Sequence, residues 1–395
     1  MRRRIQPIVA AETVPLAQAV GRVLAAPLVS PRPVPGFDNA AVDGYAFAAA
    51  SQAETGPIRL PLAEGRAAAG HPAGARVLDG RAIQVLTGAV MPAGTDTVAM
   101  NEEVTLEAGC ITLERPLRPG SNRRRAGEDI AAGQSLFAAG LVLGPRHIGV
   151  AAELGRAELL VYRRLRVALF SSGDELTEPG CRLPEGGIYD ANRYMLRGLL
   201  QGLPVSVTDL GILPDSAAAV ETAILAAARE HHVVLTSGGA SKGAEDHVVE
   251  TVERHGRLDF WQIAMKPGRP LAFGRLGDAV TIGLPGNPVA AAVCFMRLAR
   301  PVLARLAGAA WLEPLACVVP AAFSLDKKPG RTELLRCRLL DGPDGPRAEL
   351  IRRQGSGILT SLTDADGLVE VAPATTAIRP GDPVRFLSFA ALGSS

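Results

Sequence analysis

The sequence predicts a multidomain α/β plus β protein, with a central doubly wound domain between a small β-rich N-terminal domain and a C-terminal β-barrel. Three observations predict it. The chain has 395 residues, too many for one hydrophobic core. Over residues 166–308, strand-length apolar runs alternate with helical stretches, the pattern of parallel βαβ units. On both sides of that region the apolar runs are short and split by Gly and Pro, as in compact β domains.

In chain order, residues 1–50 read as a lead-in whose Pro31, Pro33 and Pro35 precede a polar, glycine-bearing loop around Phe37–Tyr45. The runs Ile58–Leu62, Ala82–Leu86, Thr97–Met100 and Ile111–Leu113 suggest the small β-rich domain. Residues 141–162 look like a helix-containing connector, with Pro145 placed to start the helix. The central strands are expected at Val167–Ser171, Val205–Leu210, Val233–Ser237 and Ala279–Leu284. Between them, Asp215–Glu230 opens with Asp215 and Ser216 as cap candidates before an Ala/Leu/Ile stripe. Pro288–Leu306 reads as one long apolar helix. From about Cys317, turn signals such as Lys328-Pro329-Gly330 and Asp366-Gly367 separate the short strands of the expected barrel.

Composition excludes several classes of function. Lys and Arg number 42 against 40 Asp and Glu, a net charge of +2, so no concentrated basic face argues for nucleic acid. Aromatics at 4% are too few for a base-stacking surface. The five cysteines and six histidines show no metal-ligand spacing and no disulfide framework. Arg2, Arg3 and Arg4 mimic the start of a secretory signal, but Glu12, Pro15, Gln18 and Arg22 break the apolar run behind them. No run approaches the ~20 apolar residues of a membrane helix. A soluble, untargeted, cytoplasmic chain is expected.

The segment Thr236-Ser237-Gly238-Gly239-Ala240-Ser241-Lys242-Gly243-Ala244-Glu245-Asp246 follows an apolar strand and leads into a helix. Glycines there let a backbone approach phosphate oxygens. Open α/β sheets bind ligands beyond the carboxyl ends of their strands. Asp246 is placed to hold a magnesium ion bridging phosphates; a tight turn with Asp246 as an N-cap is the alternative. Ser171-Ser172-Gly173-Asp174-Glu175-Leu176 brings hydroxyls and carboxylates to the same edge, and Leu284-Pro285-Gly286-Asn287-Pro288 is either a third ligand-facing loop or a rigid turn. Lys266-Pro267-Gly268-Arg269-Pro270 sets two cations on a backbone stiffened by prolines, which suits an oxyanion or a solvated basic turn. Farther upstream stand Gly36–Ala46 with Asp38 and Asp43, Thr87-Gly88-Ala89-Val90-Met91-Pro92, and Arg123–Arg125 beside Glu128 and Asp129. Each of these has an ordinary reading as a turn or a surface charge network. No nucleophile elbow or Ser–His–Asp spacing suggests covalent catalysis.

Together these segments resemble the molybdopterin molybdenumtransferases, the molybdenum-insertion enzymes that include the gephyrin E-domain. The resemblance runs through nearly the whole chain, in order, from Pro35-Gly36-Phe37-Asp38-Asn39 to Leu284-Pro285-Gly286-Asn287-Pro288. It implies a homodimer of four-domain subunits. Residues 1–50 with 126–165 would form an elongated dimerisation domain, 51–125 a small β-rich domain, 166–312 a molybdopterin-binding α/β domain, and 313–395 the barrel. The implied reaction inserts molybdate into adenylylated molybdopterin and releases AMP, with magnesium, in a cleft completed by N-terminal loops of the partner subunit. Other cofactor-synthesis enzymes are the further partners implied.

Carried over by motif, Asp43, Thr87, Arg124, Glu175 and Asp246 would be catalytic, and Asp215 with Asp246 would meet the metal. Ser237, Gly238, Gly239, Ser241, Lys266, Arg269, Pro270, Arg336 and Ser356 would hold substrate and molybdate. Family members usually carry a further helix before the segment matching Ile5–Leu16. Lys242 stands where Val is frequent and Gln262 where some members have Lys, as if a basic residue had moved between loops. Adenylyl transfer from ATP to molybdopterin is the alternative reaction, though residues 1–165 and 317–395 would be superfluous for it. A non-enzymatic scaffold is the remaining alternative.

Overall fold

The computed structural model describes residues 5–238 and 247–394. The chain divides into two compact units, Met1–Ala26, Ala139–Pro145 and Glu158–Ser395 in one, and Pro27–Ala138 with Arg146–Ala157 in the other. Residues 51–125 thus lie in the second unit, whereas the α/β and C-terminal regions both lie in the first.

The second unit is built on a six-stranded sheet. Its order is Thr97–Met100, Gly44–Phe47, Ala82–Val85, Ile58–Ala67, Cys110–Leu113, Val104–Glu107. Side chains of alternate parity go to opposite faces of a strand, and two apolar clusters result. Ala46, Ile83 and Val98 belong to one; Tyr45, Phe47, Ala82 and Ala99 belong to the other.

The first unit carries the central sheet, ordered Val205–Leu213, Leu165–Ser172, Val233–Ser237, Ala279–Leu284, Pro270–Leu276, Arg257–Gln262. The first four strands pair parallel and the last two join by antiparallel pairing, so that Pro270–Leu276 runs against the other five. Helices cover both faces. Ala191–Gln201 and the run from Pro288 pack into the cluster holding Leu196, Leu200, Val289 and Phe295. Ala217–Glu230 and His247–His255 supply Val220, Ile224, Val248 and Val252 to the cluster on the other face. This is the doubly wound arrangement expected. The helix expected over 288–306 is not uniform: α-helices Pro288–Cys294 and Arg300–Leu306 flank a π-helical turn, Phe295–Ala299. Pro301 has no N–H and crowds the carbonyl four residues back, that of Arg297, so the widened turn falls where a regular α-helix would clash.

The C-terminal region closes into the expected barrel. Thr332–Leu340, Gly367–Val371, Pro383–Ser388 and Cys317–Pro320 are neighbours in antiparallel order, and Arg347–Leu350 pairs the free side of Thr332–Leu340. A bridge from Ala321 to Ala348, with Ala322 N donating to the Ala348 carbonyl at 2.7 Å, completes the ring around Leu335, Cys337, Val369 and Phe386. The two-residue strand Met265–Lys266 joins this sheet from the α/β region, pairing parallel with Thr332 and Glu333. The loop bearing the two expected oxyanion-binding cations is therefore held by the barrel.

Candidate active site

The carboxyl ends of the parallel strands open into a cleft of about 1210 Å³. Ser172, Gly173 and Glu175 line it from one strand end, Asp215 from the next, Gly238 from the third, and Pro285–Pro288 from the fourth. The described parts of the two loops expected to converge, at 171–176 and 236–238, meet here, and the loop at 284–288, readable as either a ligand-facing loop or a rigid turn, lines the cleft with them. Gly238 has φ +92° and its Cα lies so close to the Ser172 carbonyl that an added Cβ would sit 2.9 Å from that oxygen. Only glycine permits this approach. Asp174 Oδ1 accepts from the Asp215 backbone N at 2.9 Å, which ties two of the carboxylate-bearing loops together. Helix Ala217–Glu230 has Ser216 as its N-cap, without a side-chain cap bond. Asp215 is left facing the cleft, 3.8 Å from His247 Nε2.

The cleft also has a basic lining. Lys266, Arg269, Pro270, Arg331, Arg336 and Ser356 contribute to it. Lys266 pairs with the buried Glu333 at 3.4 Å, across the ladder that joins the loop to the barrel. Arg269 Nη2 donates to Gln262 Oε1 at 3.2 Å. Arg336 is 1% exposed. It donates to Ser361 Oγ at 3.1 Å and to the Gly355 carbonyl at 3.1 Å, and no carboxylate among the described residues pairs with it. Burial lowers its pKa below the ordinary arginine value. A buried cation without a counter-ion is costly, and a dianion in the cleft would offset that cost.

In the second unit, the N-terminal motifs meet one another. Arg123 and Arg124 pair with Ala40 and Asn39, and Arg123 lies 3.5 Å from Asp38. Asp43 Oδ1 accepts from both the hydroxyl and the backbone N–H of Thr87, each at 2.7 Å. Those two bonds, the hydroxyl's first, hold the Asp43 pKa below the usual carboxylate value despite a small opposing effect of burial. Thr87→Val should move the Asp43 titration upward, because the hydroxyl's bond is lost while the backbone N–H bond remains. An NMR titration of the Asp43 carboxyl checks this, and an unmoved midpoint would assign the shift elsewhere.

Comparison with known proteins places this architecture. Family models match residues 1–155 as the MoeA N-terminal region (domain I and II), 168–305 as a probable molybdopterin binding domain, and 318–389 as the MoeA C-terminal region (domain IV). A molybdopterin molybdenumtransferase of Haemophilus influenzae is 42% identical over 323 residues, covering 81% of this chain and 79% of that protein. The chain belongs to the molybdopterin molybdenumtransferase family. Molybdopterin molybdenumtransferase 2 of Mycobacterium tuberculosis is 35% identical over 313 residues, covering 77% of this chain and 76% of its own length. The solved structure of a molybdopterin biosynthesis moeA protein from Pyrococcus horikoshii superposes with a TM-score of 0.85 at 31% identity, over 98% of this chain and 97% of that one.

Of the positions carried over from molybdopterin molybdenumtransferases, Glu175, Asp215, Gly238, Lys266, Arg269, Pro270, Arg336 and Ser356 line the same cleft of the first unit. Ser237 is buried, its Oγ accepting from Asn192 Nδ2 at 2.8 Å. Asp43, Thr87 and Arg124 lie in the second unit. Gly239, Ser241, Lys242 and Asp246 lie outside the described residues. Sequence reasoning did not single out Glu333, Arg331 or Asn192. A glutamate inside the apolar run Glu333-Leu334-Leu335 was the available signal for the first. A second concavity, at the opposite edge of the sheet, includes Arg166, Arg229, His231, His232 and His255. Its cations gather at two helix C-termini, where Arg166 Nε caps the Glu230 carbonyl at 2.8 Å, a setting that favours cations without any ligand.

Proposed function

We propose that the cleft of the first unit inserts molybdate into adenylylated molybdopterin and releases AMP, forming molybdenum cofactor. The observation that carries this reading is the meeting of both charges in one cleft: Arg336, buried and without a carboxylate partner among the described residues, lines it with Lys266, Arg269 and Arg331, and Glu175 and Asp215 line it too. Cations and the Ser356 hydroxyl suit a tetrahedral dianion. Gly238 and the loop at 285–288 offer close backbone approach to the phosphates. Breaking the phosphoanhydride needs charge neutralisation more than a side-chain nucleophile. The relatives' names speak for insertion, and nothing found favours adenylyl transfer from ATP.

Magnesium fits the acidic part of the lining. Among the described residues no three His, Cys, Asp or Glu side chains form a cage for a cation, but magnesium usually keeps its waters and takes one or two carboxylates plus substrate phosphates. Glu175 and Asp215 are two such donors. When bound, the ion would offset charge on the phosphate oxygens. The reading includes a homodimer working in the cytoplasm, with other cofactor-synthesis enzymes as partners. Among the described residues no helix is long and apolar enough to cross a membrane.

Purified protein given adenylylated molybdopterin should release AMP only when molybdate and magnesium are both present. Lys266→Ala and Arg269→Ala should each weaken molybdate dependence about 10-fold or more, the scale of one charge-assisted contact. AMP release indifferent to molybdate would overturn the assignment.

A further inference from the structure

We propose that Asn192 is a positioning residue that sets the gap between the two glycine-bearing strand-end loops at 237–238 and 285–287, on the phosphate-facing side of the cleft. The inference rests on the function proposed above and adds a residue to it. Strands Val233–Ser237 and Ala279–Leu284 are parallel neighbours whose ladder ends at Ser237 and Leu284. Gly238 N still donates to the Leu284 carbonyl at 3.1 Å. Past that point the ladder ends but the loops stay close: a Cβ on Gly286 would sit 4.0 Å from Gly238 Cα, and Gly238 and Gly286 both line the cleft.

One side chain bridges the two loops. Asn192 Nδ2 donates to Ser237 Oγ at 2.8 Å and to the Gly286 carbonyl at 2.6 Å. A primary amide has two N–H donors, and both are used, one on each loop. Asn192 itself does not line the cleft, so it acts through the loops.

The helix that carries it is held independently. Asp190 caps Ala191–Gln201 by accepting from Arg193 N at 3.1 Å, and Leu196, Leu199 and Leu200 are buried beneath. The helix therefore does not need Asn192 for its own place. What the amide contributes is the spacing of two backbones whose glycines face substrate.

Two variants separate this from a packing role. Asn192→Asp keeps the shape and removes both donors; Asn192→Ala removes shape and donors together. Both should lower kcat for molybdate-dependent AMP release about 10- to 100-fold, the effect of misplacing a reacting group by about 1 Å. The KM for molybdate should stay unchanged, because the amide's hydrogen bonds go to Ser237 and Gly286 and to none of the cations, and the melting temperature should stay near that of the parent. Hydrogen exchange in peptides containing residues 235–238 and 284–288 should rise in Asn192→Asp. Unchanged exchange in those peptides overturns the proposal, whatever the activity. So does a kcat equal to the parent's in both variants, or a loss that appears equally in the KM for molybdate. A parent protein that releases no AMP would sink the function proposed above instead, and the exchange measurement would still judge Asn192.

Discussion

Arg193→Met should destabilise the protein by about 3–5 kcal/mol, the cost of removing one partner from a buried ion pair. Arg193 sits on the buried face of helix Ala191–Gln201, its side chain 5% exposed. It donates Nε to Asp190 at 3.0 Å, Nη1 to both oxygens of Asp209 at 2.7 Å, and Nη2 to Glu178. Burial alone works against its charge. Hydrogen bonds to Asp209, Glu178 and Asp190 more than reverse that, and raise the pKa above the ordinary arginine value. Methionine would fill part of the volume and strand Asp190, which is 1% exposed, without its counter-charge. Urea denaturation of the two proteins gives the difference directly. A loss under about 1 kcal/mol would show that water reaches the carboxylates and that the network is a surface one.

The same network has a pH signature. Asp209 is pushed up by burial and more strongly down by hydrogen bonds from Arg193 and Gly211 N, so its folded pKa is depressed. Glu178 is lowered by hydrogen bonds from Tyr194 and then Arg193. A depressed carboxylate contributes stability that is complete above its unfolded value, about 3.9 for Asp and 4.3 for Glu, and lost as pH falls through the folded value. The parent should lose stability below about pH 4 more steeply than Arg193→Met, which loses the Arg193 contribution to both shifts while Tyr194 still lowers Glu178 and Gly211 N still lowers Asp209.

That network also explains where the sequence was hard to read. Strands Val233–Ser237 and Ala279–Leu284 were legible to the residue, because they are buried on both faces and read as unbroken apolar runs. Helix Ala191–Gln201 was not: its sequence, Ala-Asn-Arg-Tyr-Met-Leu-Arg-Gly-Leu-Leu-Gln, turns an arginine inward. An inward arginine is indistinguishable from a surface one until its carboxylates, 3 to 16 residues away in the chain, are known. Strand Pro270–Leu276 opens with a residue that cannot donate to a ladder, and Arg257–Gln262 mixes charge with aromatics. Both belong to the antiparallel end of the sheet, where the alternation of strand and helix stops. The site was legible as a set of loops, since glycine, proline and charge punctuate strand ends. Which residues hold those loops in place was not. Asn192 and Glu333 act through contacts of 45 residues or more in separation, and no local pattern carries that information.

Gly268→Ala should abolish most molybdate-dependent activity while leaving a folded protein. Gly268 lies between the two cations of the Lys266–Pro270 loop, with φ +101°. A Cβ there would sit 2.2 Å from Cys294 Sγ on helix Pro288–Cys294. Burial pushes the Cys294 thiol up to about 12, so it stays protonated, and its Sγ donates to the Gly268 carbonyl at 3.5 Å. Loop and helix are therefore in contact through a site with no spare volume. Alanine adds a steric cost of about 1–3 kcal/mol for overpacking and about 1–2 kcal/mol for a positive φ. The loop has one direction in which to relieve the clash, away from the helix, and Lys266 and Arg269 move with it. A displacement of about 1 Å is worth about 100-fold in rate. Cys294→Ala should remove the steric part and not the φ part, so the double variant Gly268→Ala/Cys294→Ala should recover activity by about 10-fold over Gly268→Ala alone. Equal activity in the single and double variants would show that the helix contact does not set the position of the cations, and that backbone conformation alone makes glycine necessary at 268.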